Sequence, residues 1–480
     1  MYKNKLLYII LIIILTPLFY FMYLLIESIF KYGINFNFKI DYLINSIILS
    51  GTGAFLSLFF GFILSLTYYT IKKELFRTIF IIILFSIFII EPIILLSVFQ
   101  NLYFFKILSP FYQTLFIETL HLLPLSAILL IYMFNSLNIN SIKLAIKLSN
   151  IMNTIKYIIL PILAKRILFI YLFIYILIFI SQDVSSILAY RTYSEELLNN
   201  ITLLDNISQI ILYTLPSLLL VLLIFFVSNK DIIIQNKNYT SIYFSCNICQ
   251  KVIFSILGIY LSFVLFKLYA NINSNFFTLI NENISIIFDS IVISIIVSLI
   301  TLIISLLLKN IIKHHIKLYM FLFAFYMLMP HSIISLILIN LSQKLNIDIS
   351  YLIFIVGYIF TLLPISMILV YIFKIELVDD DFLFFLKTNL IGKLKFIHLP
   401  KNKNEIIVTI AILMLFSLNE LSVSILLTPP GFETIIVKIY NLLHYGDIST
   451  VSFLSLIQII ITAIVIIFVA NIKWGNKKYD

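Results

Sequence analysis

Acidic side chains stand within or at the ends of strongly apolar stretches of this chain. They are Glu91, Glu118, Asp183, Asp289 and Glu420. A carboxyl group inside a membrane is expensive, and it usually pairs with another group, relays protons or lines a polar path. We predict that Glu91, Glu118 and Glu420 line a translocation path. The alternative is that helix ends and loops leave several of these acids in water.

Histidines and cysteines suggest metal chemistry less strongly. His121, His331 and His444 could handle a metal solute, but internal polar contacts for the first two and an outer loop for the third are simpler roles. Cys246 and Cys249 supply only two of the four ligands that zinc prefers. We therefore expect neither a metal site nor a resident cofactor on this chain.

Membrane helices are the elements that would position these side chains. The 480 residues are 62% hydrophobic and only 11% charged, with mean hydropathy +1.13, whereas soluble proteins are about a quarter charged. Apolar runs of about 18 or more residues recur, enough to cross a bilayer as helices. This composition excludes a water-soluble enzyme. The basic residues lie scattered in short loops, which argues against nucleic-acid binding.

Apolar length and loop polarity predict an all-α polytopic membrane protein with twelve spans. The first six are predicted at 6–29, 42–69, 79–100, 112–137, 161–189 and 206–228. The second six are predicted at 252–270, 285–308, 318–341, 350–373, 404–427 and 448–471. The polar stretch 229–250 is predicted to be a cytoplasmic linker between two halves, 1–228 and 251–480.

The basic residues also predict the orientation of these spans. Most of the 32 lysines and arginines fall in alternate segments that begin with the N-terminus. By the positive-inside rule both termini lie in the cytoplasm, and the chain sits in a plasma or bacterial inner membrane. The apolar run after Lys3 and Lys5 is too long for a signal peptide, so we predict an uncleaved first helix.

The two halves resemble each other. LLPLSAILLIYMF (122–134) is similar to LLPISMILVYIF (362–373), and SQDVSSIL (181–188) is similar to NELSVSIL (419–426), which pairs Asp183 with Glu420. Such a spacing predicts two homologous six-helix halves related by an axis along the membrane normal.

Prolines recur within predicted helices at corresponding places in both halves. They are Pro92, Pro124, Pro330 and Pro364. Helix breaks at these prolines would face a translocation path, because irregular backbone at membrane depth is tolerated where it lines a cavity. Ordinary kinks are the alternative.

The longest cytoplasmic loop of each half has the pattern of a short amphipathic helix. The loops span about 138–161 and 375–401, and in both of them lysines alternate with apolar residues. Asp379 to Asp381 suit the first turn of a helix. Each loop ends in Leu-Pro, and proline is tolerated in the first turn of the helix that follows. The apolar face of such a helix needs a partner.

These loops resemble the "EAA" loops of permease subunits in ATP-binding-cassette importers. There Glu-Ala-Ala is followed by three residues, a glycine, nine residues and Ile-x-Leu-Pro. Leu160-Pro161 and Leu399-Pro400 match the end of that motif. In the second loop Asp381 stands at the Glu position and Lys387 at the Gly position. The glycine and both alanine pairs are missing.

A second stretch resembles one family of these importers more closely. NELSVSILLTPPGFETIIVKIYNLLHYG (419–446) is similar to the last extracytoplasmic turn of two-domain ferric-iron-type permeases, with Glu-Leu, Pro-Pro-Gly and His-Tyr-Gly in that order. The resemblance covers most of the chain and implies the fold of a type I importer permease.

The resemblance also implies partners and a cargo. An ATPase dimer would grip both loops, at Lys143 and Lys147 of the first as well as at the matched positions. An extracytoplasmic binding protein would deliver a small substrate, with ferric iron the best candidate. ATP and magnesium would belong to the ATPase, since GTGAFLS (51–57) lacks the Gly-Lys-Ser/Thr of a phosphate-binding loop.

Other functions remain open at this stage. A secondary transporter driven by an ion gradient can also consist of two six-helix repeats, and its intramembrane acids can relay protons. Permeases similar to this chain also carry thiamine, phosphonates or other small anions. A membrane enzyme is disfavoured, because no clustered His-Glu or Ser-Lys arrangement is present.

Overall fold

A computed structural model describes residues 2–32, 40–71, 73–134, 160–203, 207–220, 247–273, 276–312, 351–372 and 403–471. It also describes most of 322–345 and the single residues 153, 156 and 157. Across these residues the chain is helical and contains no strand. The prediction of an all-α protein is therefore confirmed.

Ten helices precede the predicted linker in the described part of the chain. In chain order they are α1 (Tyr2–Tyr32), α2 (Ile40–Tyr68), α3 (Glu74–Phe88), α4 (Pro92–Phe99), α5 (Tyr103–Ile107), α6 (Pro110–Phe134), α7 (Leu160–Ile180), α8 (Asp183–Ile187), α9 (Tyr193–Leu203) and α10 (Ile207–Leu212).

The helices that follow the predicted linker are α11 to α18. They are α11 (Asn247–Ala270), α12 (Phe276–Ile312), α13 (His331–Lys344), α14 (Tyr351–Ile372), α15 (Lys403–Leu418), α16 (Ser422–Leu427), α17 (Ile435–Tyr445) and α18 (Ile448–Asn471). The short helices α9 and α17 were not predicted from the sequence.

Eight spans in the described residues are long and apolar enough to cross a membrane. They correspond to the predicted first, second, fourth, fifth, seventh, eighth, tenth and twelfth spans. The bent pair α3 and α4 makes a ninth if it is counted as one span. The protein is thus a polytopic membrane protein by helix length and composition.

Two of the predicted spans are broken at a proline, so Pro92 and Pro330 make helix breaks, the first of the two alternatives that the sequence left open. The predicted span 79–100 divides into α3 and α4, which meet at an angle of 80°. Proline has no N–H and forces the preceding residue out of the helical region, and Glu91 before Pro92 has ψ 148°. The predicted span 318–341 breaks in the same way at Pro330, which precedes α13. Pro124 and Pro364 lie inside α6 and α14 as predicted.

Two further breaks occur without a proline, although Leu160–Ile187 still qualifies as one membrane span. The predicted span 161–189 divides into α7 and α8, and 404–427 divides into α15 and α16. Side chains from other helices take the backbone carbonyls at these breaks: Ser194 donates to Ser181 O, and Tyr358 donates to Glu420 O. Tertiary contacts therefore stabilise these breaks.

Small residues let the central helices approach closely. α2 packs on α6 and α7, and α12 packs on α14 and α15. Ser126 Oγ on α6 donates to Ser57 O on α2 over 2.6 Å. At the matching position of the repeated segment, Ser366 Oγ donates to Ser305 Oγ on α12, also over 2.6 Å. Small residues at such contacts are the usual device of membrane helix packing.

The helices of the two predicted halves interlock. α1 packs on α12 and α13, where Phe21 meets Phe325 edge-on at 5.9 Å. Tyr326 also donates to Ile14 O on α1. Conversely, α11 packs on α2, α3 and α4. α1 thus lies against helices that follow the predicted linker, α11 lies against helices that precede it, and residues from both sides of the linker share apolar clusters.

Candidate functional site

The four helix breaks bring acidic residues from distant parts of the chain together. Glu91 lies at the break between α3 and α4, Asp183 begins α8, and Glu420 lies between α15 and α16. Glu118 on α6 completes the set. Glu91 is within electrostatic reach of the other three. We call these four acids, together with His331 at the start of α13, the acidic cluster.

The acidic cluster lies well inside the helical body. At a rise of 1.5 Å per residue, Glu118 is about 12 Å along α6 from Pro110, and Glu91 is about 12 Å from Phe99 at the end of α4. Pro110 and Phe99 flank the same connecting segment, which contains α5. Both acids are therefore about 12 Å along their own helices from the segment that contains α5.

Most members of the acidic cluster keep some accessible surface despite this depth. The His331 side chain is 30% exposed and the Glu420 side chain 11% exposed, and Glu91 and Asp183 are half-buried. Other protein atoms therefore cover these four side chains only in part. Glu118 is the exception, at 4% exposure.

Glu420 is fixed by three contacts. Its Oε1 lies 3.1 Å from His331 Nδ1, an ion pair when the imidazole is protonated. The same oxygen accepts the Val423 N–H in the first turn of α16 over 3.3 Å. A carboxylate is favourable beside such free N–H groups. The backbone oxygen of Glu420 accepts the Tyr358 hydroxyl over 3.3 Å.

Glu118 holds the break between α7 and α8. It accepts the Ser181 hydroxyl over 2.6 Å, and Ser194 donates to the backbone oxygen of Ser181. Tyr358, 240 residues after Glu118, makes the corresponding contact with the break between α15 and α16. A residue of α6 and a residue of α14 thus each contact a helix break.

Histidine roles agree with the simpler expectation. His121 Nδ1 lies 3.1 Å from Ile90 O, a carbonyl at the break between α3 and α4, and the ring stacks on Phe88. Since a carbonyl only accepts, Nδ1 carries the proton. His444 lies on the exposed end of α17. Asp289 lies half-buried in α12, outside the acidic cluster.

Measured from the helix ends, Glu420 stands at the position of Gln182 rather than at that of Asp183. Glu420 is two residues beyond the end of α15, and the residue two beyond the end of α7 is Gln182. Asp183 is instead the first residue of α8 and corresponds to Ser422, the first residue of α16. The two breaks meet directly, because Gln182 Nε2 donates to Ser422 Oγ over 3.1 Å.

Neutral polar residues at the breaks were missed by the sequence analysis. Asn419 Nδ2 donates to Ile89 O over 3.1 Å, and Asn419 Oδ1 accepts from Gln458 Nε2 over 2.6 Å. The available signal was an amide standing alone in an apolar run, as in LSLIQIIITAI (454–464). An amide in such a run indicates a buried polar contact as a carboxylate does, because both need hydrogen-bond partners in an apolar environment.

The predicted ATPase-contact residues mostly lie outside the described residues. These residues are Lys143, Lys147, Asp381, Lys387, Leu399 and Pro400. Most of the two loops and of the linker 229–250 also lies outside the described residues. Leu160 and Pro161 are described and form the first turn of α7, where proline was predicted. Their role in ATPase contact stays a prediction. Cys246 and the side chain of Cys249 also lie outside the described part.

Within the described residues no group of three or more metal-ligating side chains is arranged to hold a metal ion. The acidic cluster instead presents four carboxyl groups and one imidazole. Such an arrangement suits transient contact with a positively charged solute. No family model, curated protein or solved structure matches this chain.

Proposed function

We propose that this chain is the permease subunit of an ATP-driven importer that passes a small cation, with ferric iron as the best candidate. The observation that carries this proposal is the acidic cluster, where helix breaks bring Glu91, Asp183, Glu420 and His331 together near Glu118 of α6. Broken helices and ionisable groups at membrane depth are characteristic of solute pathways.

The charge of the acidic cluster favours a cation over an anion. The acidic cluster contains four carboxyl groups and one histidine, and a negatively charged path attracts cations and repels anions. This balance argues against phosphonate and other small anions as cargo. The lack of an ordered metal site among the described residues is compatible with transport, because a solute must bind weakly enough to leave.

The architecture that belongs to this proposal is twelve spans in two homologous halves, with both termini in the cytoplasm of a plasma or inner membrane. Support comes from matched contacts. Ser126 and Ser366, 240 residues apart, each bond to the preceding central helix. Glu118 and Tyr358, also 240 apart, each hold a helix break.

An ATPase dimer would engage the chain at the loops 138–161 and 375–401, and an extracytoplasmic binding protein would deliver the cargo. The chain itself would hydrolyse nothing. Closure of the ATPase would favour one arrangement of the helices over another, which is the condition for coupling binding energy to movement.

Cross-linking tests the proposed coupling. Single cysteines at Lys147 and Lys387, in a chain lacking Cys246 and Cys249, should cross-link to a co-expressed ATPase, and ATP should change the yield. Cysteine at Tyr103, 82% exposed on α5, is the control and should give no cross-link to the ATPase. Failure at every position along both loops, in correctly inserted protein, would refute ATPase coupling.

A gradient-driven carrier is the second candidate, and the pairing of Glu420 with His331 favours it because such a pair can take up and release a proton. Proteoliposomes containing the chain alone separate the two. Uptake of ferric iron driven by a pH gradient without ATP would support the carrier. Uptake only with the ATPase and ATP would support the permease.

A further inference from the structure

Asn419 joins three helical elements through one amide group. Its Nδ2 donates to Ile89 O at the break after α3, over 3.1 Å. Its Oδ1 accepts from Gln458 Nε2 on α18, over 2.6 Å. Asn419 itself directly follows the end of α15. One side chain therefore links the end of α15 to α18 and to the break that carries Glu91.

The neighbouring contacts make this link direct. Phe416, in the last turn of α15, meets Phe88, the last residue of α3, edge-on at 5.9 Å. Leu415 and Ile89 share a small apolar cluster with Ile466 of α18. The ends of α15 and α3 thus pack together, and Asn419 adds the polar contact with defined geometry.

The Ile89 carbonyl has a specific need for a donor. The break after α3 leaves backbone oxygens without their usual helical partners, and a buried carbonyl without a partner is costly. His121 takes Ile90 O, and Asn419 takes Ile89 O. Among residues of similar size, only asparagine can donate to Ile89 O and accept from Gln458 at once.

α15 is also the helix that enters directly from the second loop, 375–401. Its 16 residues run from Lys403 to Leu418, about 24 Å, and form one uninterrupted helix. A displacement at Lys403 therefore reaches Asn419 with little loss, since a helix moves as a rigid rod.

We propose that Asn419 is the positioning residue that transmits movement of α15 to the break between α3 and α4, and so to Glu91 in the acidic cluster. This inference rests on the proposed function, because it takes the loop before α15 as the place where the ATPase acts. It adds the route by which that movement reaches the solute path.

Two reporter cysteines test the route in the full-length chain with its ATPase, in a background lacking Cys246 and Cys249. One replaces Lys403, exposed at the start of α15, and the other replaces Glu91. The measurement is the rate of modification by a small cationic methanethiosulfonate, with and without ATP. Each reporter is combined with N419L or N419D, both of which remove the donor to Ile89 O, and with the charge control N101D, since Asn101 is exposed in the turn after α4.

ATP should change the rate at both reporters in the parent chain. A coupling free energy of 1–3 kcal/mol corresponds to about 5- to 150-fold, so we expect at least about a five-fold change at position 91. N419L and N419D should abolish the change at position 91 and preserve it at position 403. N101D should preserve both. Q458L removes the contact of Asn419 with α18 but leaves its contact with Ile89 O. The response at position 91 should therefore also be preserved.

The outcomes separate the two proposals. A response at position 91 that survives N419L and N419D would overturn the role of Asn419 and leave the proposed function intact. No response at position 403 in the parent chain would overturn the proposed function and this inference with it. If N419L fails to insert, N419D decides alone, because it keeps the shape of the side chain and its contact with Gln458.

Discussion

Replacing Gly61 with alanine should force α2 and α6 apart. A Cβ atom at Gly61 would lie 1.8 Å from Ser126 Oγ, 2.9 Å from Ser126 Cβ and 3.0 Å from the backbone nitrogen of Ala127. The hydroxyl can rotate away, but the backbone nitrogen cannot. The substitution therefore overpacks the contact and disrupts the hydrogen bond from Ser126 to Ser57 O.

The expected loss of stability follows from three contributions. Overpacking costs about 1–3 kcal/mol, and a hydrogen bond between membrane helices contributes about 0.6 kcal/mol. The higher helix propensity of alanine offsets about 0.9 kcal/mol of this loss of stability. G61A should therefore lower the free energy of unfolding by about 1–3 kcal/mol. The displacement should also reach Glu118, which lies two turns before Ser126 on α6.

Reversible unfolding in mixed detergent micelles measures this loss. G258A is the matched control, because a Cβ atom added to Gly258 on α11 would have no neighbouring atom within 4 Å. That substitution should be neutral or slightly stabilising. The double variant G61A/S126A removes the shortest overlap, so its loss should be smaller than the sum of the single losses. Equal stability of G61A and the parent chain, or strict additivity in the double variant, would refute the close contact.

Two further predictions concern Glu420 and Tyr358. E420Q removes the charge facing His331, 3.1 Å away. A charge-assisted hydrogen bond is worth about 1.5–3 kcal/mol, so ferric iron uptake should fall by about 10- to 100-fold. The control E433Q, at an exposed pair with Lys438, should leave uptake unchanged. Y358F removes the hydroxyl that bonds to Glu420 O and to Ser424 Oγ and should cost about 0.6–1.2 kcal/mol of unfolding free energy, at about 0.6 kcal/mol for each bond, with Y351F, exposed on the same helix, as the neutral control.

Each of these two predictions can fail clearly. Equal uptake by E420Q and E433Q would show that the charge of Glu420 has no part in transport. A loss in Y351F as large as that in Y358F would show that the tyrosine contact does not stabilise the break between α15 and α16.

The long helices are the part of this protein that its sequence predicts well. α2, α14 and α18 follow from apolar length, because a run of about 20 apolar residues has few other ways to satisfy its backbone in a bilayer. Pro92 and Pro330 indicate their own breaks, since proline lacks the N–H that a helix interior needs. These properties are local, and a local pattern is enough to read them.

Local sequence patterns do not predict the helix breaks that lack a proline. Residues 181–182 and 419–421 stand in apolar runs that predict continuous helix, and they break because Glu118, Ser194 and Tyr358 offer better partners from other helices. The amphipathic helices α9 and α17 were missed because they are too short and too polar to register as spans.

The composition of the candidate site was visible in the sequence, and its assembly was not. Apolar context singled out Glu91, Glu118 and Glu420 one by one. Only the tertiary structure brought them together with Asp183 and His331 and gave Asn419 its place between α15 and α3. The physical reason is that membrane insertion depends on each segment's own hydrophobicity, whereas the position of a break or a buried polar group depends on which distant side chain can satisfy it.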